Sequence, residues 1–371
     1  MNLPSPIYVC QERLLENNLK LLKKIQDRTN VNILLALKGF ALYSTFDLCK
    51  KYLKGCCASG LNEAILAKEY FSSQIHTYSP AFKPDEFEQI AQLSNHIIFN
   101  SLNQFNIYKN KIKKHNSIGL RINPQVSSVE VDLYNPCGVY SRLGIKIDDL
   151  KELPKEIEGL HFHALCEQNL DALKLVLDKF EKDFGHFFSQ LKWVNFGGGH
   201  HITRDDYDVD GLITLLKNFR IKYPNLDIYL EPGEAIGWKT GYLEATVLDI
   251  VHNKIDIAIL DTSAEAHMPD TLAMPYKADI KGASKDPLEK KHKYRLGGNT
   301  CLAGDIMGDY SFDKPLKIGS KVIFEDMIHY TMVKTTTFNG INLPSIGIQK
   351  DDGTIKIVRN YDYKSYKDRL G

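Results

Sequence analysis

The sequence lacks an excess of charge of either sign. Its 47 Lys and Arg against 46 Asp and Glu leave a formal +1 over 371 residues. Such a balance gives no basic field to draw nucleic acid or an anionic membrane surface, so neither partner is expected. Long apolar runs are also missing. No segment approaches the roughly 18 residues of a membrane span. The opening MNLPSPIYVC has neither the basic nor the apolar region of a secretory signal, and a cytoplasmic location is expected. Cysteine is sparse and unpatterned. Seven residues, two of them adjacent at Cys56 and Cys57, form no disulfide framework and lack paired zinc-site spacing, so no metal is expected and any special cysteine acts as a thiol. No internal repeat, low-complexity tract or dinucleotide fingerprint is present.

What is present is an alternation of short apolar runs with amphipathic stretches of helix length. The strand candidates are VNILLAL (31–37), GCCAS (55–59), IHTYS (75–79), HIIFN (96–100), SIGLRI (117–122), IEGLHFH (157–163), WVNFG (193–197) and DIYLE (227–231). Between them lie patterns such as LNEAILAKEYF and NLDALKLVLDKFEKDF, whose apolar residues recur at spacings of three and four. Eight such units over about 220 residues predict an α/β chain with a (β/α)8 barrel over 12–240. From about residue 240 the texture turns β-rich, with little helical period. Residues 241–371, with 1–11, are therefore expected to form a separate domain of β-sandwich or β-barrel-like type.

Chemistry in such barrels sits at the C-terminal ends of the strands. There the sequence places Lys38, Ser59 with Glu63, Arg121, His161 and His163, Gly197 to His200, and Glu231. A lysine directly after ILLAL reads by itself as a surface charge at a helix start; if instead it is buried, its ammonium is desolvated and its pKa lowered, which suits condensation with an aldehyde. Three glycines between a strand and a helix leave bare N–H groups that can wrap a phosphate. With a histidine able to stack on a ring and a carboxylate able to pair with a ring nitrogen, these groups describe a pyridoxal phosphate site. The competing assignment takes HFH and His200–His201 as metal ligands of a barrel hydrolase, and it leaves Lys38 and the glycine loop unexplained. His161 is read as facing away from His163 and packing in the core. Cys166 and the Cys56–Cys57 pair are read as small buried residues, and Tyr78 and Asp309 as possible lining.

The segments ALKGF, CCASGLNE, HTYSPAFK, GLHFHALCE, VNFGGGHHIT, EPGEA and GGNTCLAGDIMGDYSF together span nearly the whole chain. In them the chain resembles the fold-type III pyridoxal-phosphate enzymes, the superfamily of alanine racemase and the ornithine and diaminopimelate decarboxylases, on its polyamine-forming decarboxylase side. The resemblance implies that Lys38 carries the cofactor, His163 stacks on its ring, Gly198, Gly199 and Tyr330 hold its phosphate, Glu231 meets its ring nitrogen, and Arg121 lies nearby. It also implies that Cys301 returns a proton to the substrate carbon, in a homodimer whose sites are shared across the interface. Glu234 departs from the arginine usual there. A negative charge repels a distal substrate carboxylate and attracts amines, so Glu234, with Asp270 and Asp305, is expected to bind a polyamine-type substrate. The alternatives are a diaminopimelate decarboxylase, which Glu234 disfavours, a racemase, which would want a tyrosine at Cys301, and a single-domain cofactor carrier, which lacks a β domain.

Overall fold

The first long helix shows how the chain builds its elements. In Glu12–Thr29 the residues Leu15, Leu19, Leu22 and Ile25 are fully buried, one stripe at spacings of four and three. The helix stops at Asn30, whose φ of 55° is the left-handed conformation in which helices commonly end. The computed structural model describes residues 3–129 and 131–371, and these divide into two compact units, Glu16–Ile236 and Met1–Leu15 with Gly237–Gly371.

The first unit is a closed barrel. After β1 (Ile7–Gln11), which belongs to the other unit, come β2 (Asn32–Ala36), β3 (Gly55–Ala58), β4 (Gln74–Tyr78), β5 (His96–Phe99), β6 (Ser117–Arg121), β7 (Gly159–His161), β8 (Trp193–Asn195) and β9 (Asp227–Leu230). Each pairs in parallel with the next, and β9 closes onto β2 through Asn32↔Tyr229 and Ile33↔Leu230. All eight expected strands are therefore present, most of them shorter than their apolar runs. Leu34, Ile98, Trp193 and Tyr229 meet in the interior. The Trp193 indole requires bare backbone beside it, since a Cβ on Gly159 or Gly119 would come within 2.1 or 2.3 Å of its ring. Two neighbouring strands thus carry glycine because a third carries the largest side chain.

The second unit is the expected β-rich region, in the form of one nine-stranded mixed sheet. Its strands are β1 and β10 (Gly241–Asn253), β11 (Ile255–Leu260), β12 (Ala283–Ser284), β13 (His292–Gly297), β14 (Ile306–Phe312), β15 (Lys321–Glu325), β16 (Ser345–Gln349) and β17 (Ile355–Arg359). The order is β12-β14-β13-β11-β10-β1-β16-β17, with β15 also on β10. β1 runs parallel to β16 and antiparallel to β10, and its Ile7, Tyr8, Val9 and Cys10 are buried. No helix among the described residues is long and apolar enough to cross a membrane.

Candidate active site

The C-terminal ends of the barrel strands converge on Lys38, His163 and Glu231. Lys38 sits in the tight turn that follows β2, where Gly39 N–H and Phe40 N–H both donate to Ala36 O. That turn packs against the turn after β9 so closely that a Cβ on Gly39 would lie 2.9 Å from Glu234 N. The glycine in ALKGF thus brings the lysine turn against EPGE.

Glu231 is fixed from two sides. Asn195 Nδ2 donates to its Oε1 at 2.7 Å, and His161 Nε2 lies 3.2 Å from its Oε2. Asn195 Oδ1 accepts from Gly197 N–H at 2.9 Å, so the amide can only turn its NH2 toward the carboxylate. Burial pushes the Glu231 pKa up, but His161, Asn195 and Lys38 outweigh it and the net direction is down. His161 is held below the usual histidine range by burial, against the pull of Glu231. The pair is best described as a neutral imidazole donating to a carboxylate.

His161 therefore faces the site, which corrects the expectation that it packs away from His163. Residues two apart on an extended chain share a face, and it is Phe162 that turns outward, stacking on Phe196 with ring centroids 5.4 Å apart. His163 itself lies beyond the end of β7. Its Nδ1 accepts from Gly198 N–H at 3.0 Å, and its Nε2 lies 3.3 Å from Lys38 Nζ. An imidazole whose Nδ1 accepts must carry its proton on Nε2. That N–H points at Lys38 Nζ, and two donors face to face are unfavourable. A neutral lysine amine, accepting from Nε2–H, relieves the conflict.

The charges agree with this geometry. Burial and then Lys38 and Arg121 hold the His163 pKa well below the usual histidine range. Burial and then Arg121 lower the Lys38 ammonium, against Cys57 and Glu231. Lys38 is solvent-exposed, so water screens part of that shift.

Arg121, at the end of β6, is buried. It donates to His163 O at 3.1 Å and lies 4.7 Å from the centre of the Tyr78 ring. It supports the His163 backbone from within the barrel. Tyr78 in turn donates to Asn100 Oδ1 at 2.8 Å and its ring lies 5.7 Å from that of His161. Glu63 accepts from Ser59 N–H at 2.7 Å, and burial raises its carboxyl pKa. Burial also raises the thiol of Cys57, with Glu231 adding to it.

The glycine loop is built for close approach. Gly197 and Gly199 have φ of +66° and +86°, and a Cβ at Gly198 or Gly199 would come within 2.1 Å of Glu231 O or 2.0 Å of Leu165 O. His201 Nε2 lies 3.2 Å from Glu234 Oε2, and His200 Nδ1 lies 3.1 Å from Tyr207 OH. The paired histidines thus engage an acid and a phenol of the same barrel.

The remaining expected residues lie in the sheet unit. Tyr330 opens the short helix Tyr330–Val333. Asp270 is buried, and its Oδ2 accepts from Tyr276 OH at 3.0 Å and Thr331 Oγ1 at 2.9 Å. Asp305 is buried beneath an exposed turn that carries Cys301. Asp309 forms an ion pair with Arg295 at 2.7 Å between β13 and β14. Asn195 was not anticipated from sequence. Its signal was available, an amide at the inward position of WVNFG two residues before the glycine loop.

An amine, an imidazole with a fixed tautomer, a fixed carboxylate and a bare glycine turn are the donor set that pyridoxal phosphate requires. A family model described as pyridoxal-dependent decarboxylase, C-terminal sheet domain, matches residues 7–328. The chain is 52% identical to carboxynorspermidine/carboxyspermidine decarboxylase of Campylobacter jejuni, over 98% of this chain and 97% of that protein. It is 45% identical to carboxyaminopropylagmatine decarboxylase of Synechocystis sp., over 100% and 96% of the two chains. The crystal structure of carboxynorspermidine decarboxylase complexed with norspermidine from Campylobacter jejuni superposes with a TM-score of 0.93 at 50% identity, covering 99% of this chain and 100% of that one. With its closed barrel, its sheet domain and this site, the chain belongs to the pyridoxal-dependent decarboxylases.

Proposed function

We propose that the chain decarboxylates carboxynorspermidine or carboxyspermidine to norspermidine or spermidine. The observation that carries the cofactor half of this reading is the Lys38–His163 contact, in which the His163 proton points at Nζ and favours the neutral, nucleophilic amine. Lys38 is the group that would hold the cofactor aldehyde. His163 would lie against the ring, Glu231 would hold a proton at the ring nitrogen, and Gly198 and Gly199 with Tyr330 would receive the phosphate. Gly198 N–H is directed at His163, so Gly198 contributes chiefly by its lack of a side chain. Bound there, pyridoxal phosphate supplies the electron sink for the carbanion left as carbon dioxide departs.

The protein's own groups do the rest. His161 and Asn195 keep Glu231 ionised and aimed, and Arg121 holds the His163 backbone. Cys301 gives its Sγ proton to the substrate carbon, acting as the general acid. Glu234 supports a polyamine. It adjoins the lysine turn through Gly39, and its negative charge attracts an aminopropyl amine and repels a distal carboxylate. Asp270 retains a buried Oδ1 without a hydrogen-bond partner among the described residues, a lone acceptor that an amine would satisfy. Asp305 has no such capacity, since both of its carboxylate oxygens already accept hydrogen bonds. The seven free thiols suit a reducing cytoplasm.

The Synechocystis relative, at 45% identity, favours a second reading in which the substrate tail ends in a guanidinium. One assay decides. Carbon dioxide release is measured side by side from carboxynorspermidine, carboxyspermidine, carboxyaminopropylagmatine and diaminopimelate. The first two are expected to have the highest kcat/KM, separated from each other by the ~1–3 kcal/mol of one methylene at most. A preference for carboxyaminopropylagmatine establishes the second reading, and one for diaminopimelate overturns both.

We also propose a homodimer whose sites combine Lys38, His163 and Glu231 of one protomer with Cys301 of its partner. Lys38→Ala and Cys301→Ala chains, mixed under conditions that allow subunit exchange, then recover roughly a quarter of wild-type activity, from one intact site in each mixed dimer. No recovery after verified exchange rejects the shared site.

A further inference from the structure

The turn that carries Cys301 is exposed from residue 301 to 304, yet it is held at two points. Beneath it lies Asp305, only 2% exposed. Its Oδ1 accepts from Ala264 N–H at 2.7 Å and Glu265 N–H at 3.3 Å, and its Oδ2 accepts from Thr300 N–H at 3.2 Å and Thr300 Oγ1 at 2.6 Å. A carboxylate has about four acceptor positions, and here they are filled from two segments that are distant in sequence. Asp305 also supplies the backbone closure of the turn, accepting from Gly298 N–H at 2.8 Å and donating to Leu302 O at 3.0 Å. Its carboxylate lies so close under Gly298 that a Cβ there would come within 2.2 Å of Oδ2. From the other side Asn339 Oδ1 accepts from Cys301 N–H at 2.7 Å. Asn339 has a φ of 56°, a left-handed conformation that asparagine tolerates better than most residues. The Cys301 amide is thus gripped directly by one side chain, and the preceding residue by another.

We infer that Asp305 and Asn339 are positioning residues for the Cys301 thiol, setting where its Sγ is presented, and that Asp305 is not a contact for substrate amines. This rests on the reading that Cys301 donates the proton to the substrate carbon. A donor must be held within hydrogen-bond reach of the carbon it serves, and displacement of a reacting group by an ångström costs about a hundredfold in rate. The saturated carboxylate of Asp305 offers no lone pair to a ligand, whereas its removal frees Thr300 and unties the turn from residues 264 and 265.

The test is a set of double-mutant cycles on the holoenzyme, with kcat and KM for carboxynorspermidine and the rate of Cys301 alkylation by iodoacetamide as readouts. Asp305→Asn and Asn339→Gly, the latter chosen because glycine keeps the left-handed backbone while removing the acceptor, should each lower kcat about 10–100-fold with KM nearly unchanged. Asn339→Asp, which keeps the acceptor, should retain activity. In a Cys301→Ala background the same substitutions should change kcat by less than about twofold, because residues that act through a common group are not additive. Equal losses in both backgrounds, or a raised KM with kcat intact in Asp305→Asn, overturn the inference. Should Asp305→Asn fail to fold, the Asn339 variants on the exposed face of the turn carry the test alone. If Cys301→Ala itself retains full kcat, the proton-donor reading fails. The alkylation rate then judges the placement by itself: an unchanged rate in Asn339→Gly rejects it, and a changed rate retains it.

Discussion

The barrel unit and the sheet unit hold their chemical groups in opposite ways. In the barrel, Lys38, His163 and Glu231 come from the ends of three different strands and are fixed chiefly by one another's neighbours, through Asn195, His161 and Gly198. In the sheet unit, Cys301 comes from one exposed turn whose geometry is imposed by Asp305 at its end and by Asn339 from another segment. Each unit is therefore sensitive to a different kind of change. The barrel site depends on the protonation of a dense group of neighbouring side chains, and the turn depends on a few backbone-to-side-chain hydrogen bonds.

Lys38→Ala should have the largest effect. It is expected to abolish turnover and the visible absorption of bound cofactor while leaving the turn at Cys301 unaltered. Normal absorption in the purified variant would remove Lys38 as the cofactor's attachment.

Acid should distinguish the units next. Burial lowers His96 and His200 in the barrel, and His267 in the sheet unit, to about 4. Their folded pKa values lie below the unfolded value of about 6.5, so the unfolded chain binds protons first. The stability they confer is full above about pH 6.5 and is lost as pH falls from there toward about 4. Each such shift corresponds to about 3 kcal/mol, and the barrel carries His76 besides, held well below the usual range by burial and by His96 and His161. Denaturant melts at stepped pH should show this loss, and His96→Gln should lessen its slope. A flat profile over that window would mean that these histidines are hydrated in the folded protein.

Glu231→Gln should keep cofactor bound through Lys38 yet lower kcat by about 10²–10³-fold, the scale of losing one preorganised electrostatic contact. Retained kcat would place the proton at the ring nitrogen under another group's control. The smallest effect is expected for Glu234→Gln, which should raise KM for the polyamine by the equivalent of about 1.5–3 kcal/mol, the net worth of a charged hydrogen bond. Cofactor affinity should be little changed. The reverse pattern would assign Glu234 to the cofactor.

Much of the barrel was readable because its information is local. Each strand is a short apolar run with a chemical residue at its C-terminal end, so Lys38, Arg121, His163, Glu231 and the glycine loop could be placed from order along the chain alone. His161 was misread only because the two-residue period was not carried through HFH. The sheet unit was recognised as β-rich, but its strand order was not legible. β1 lies between β10 and β16, pairing with residues more than 230 and 330 positions away in the chain, and no local pattern encodes such partners.

By itself the sequence determined the eight-fold alternation, the residue types at the strand ends and the negative charge at Glu234, since periodicity and composition are properties of neighbours in the chain. Only the tertiary structure decided what those residues face. It turned Asn195 and His161 onto Glu231, set the His163 proton toward Lys38, and made Asp305 a fully engaged anchor under Cys301 where the sequence offered an acid for substrate. The physical reason is the same in each case. A side chain's protonation and role follow from the donors and acceptors within about 3 Å of it, and those come from segments that meet only when the chain is folded.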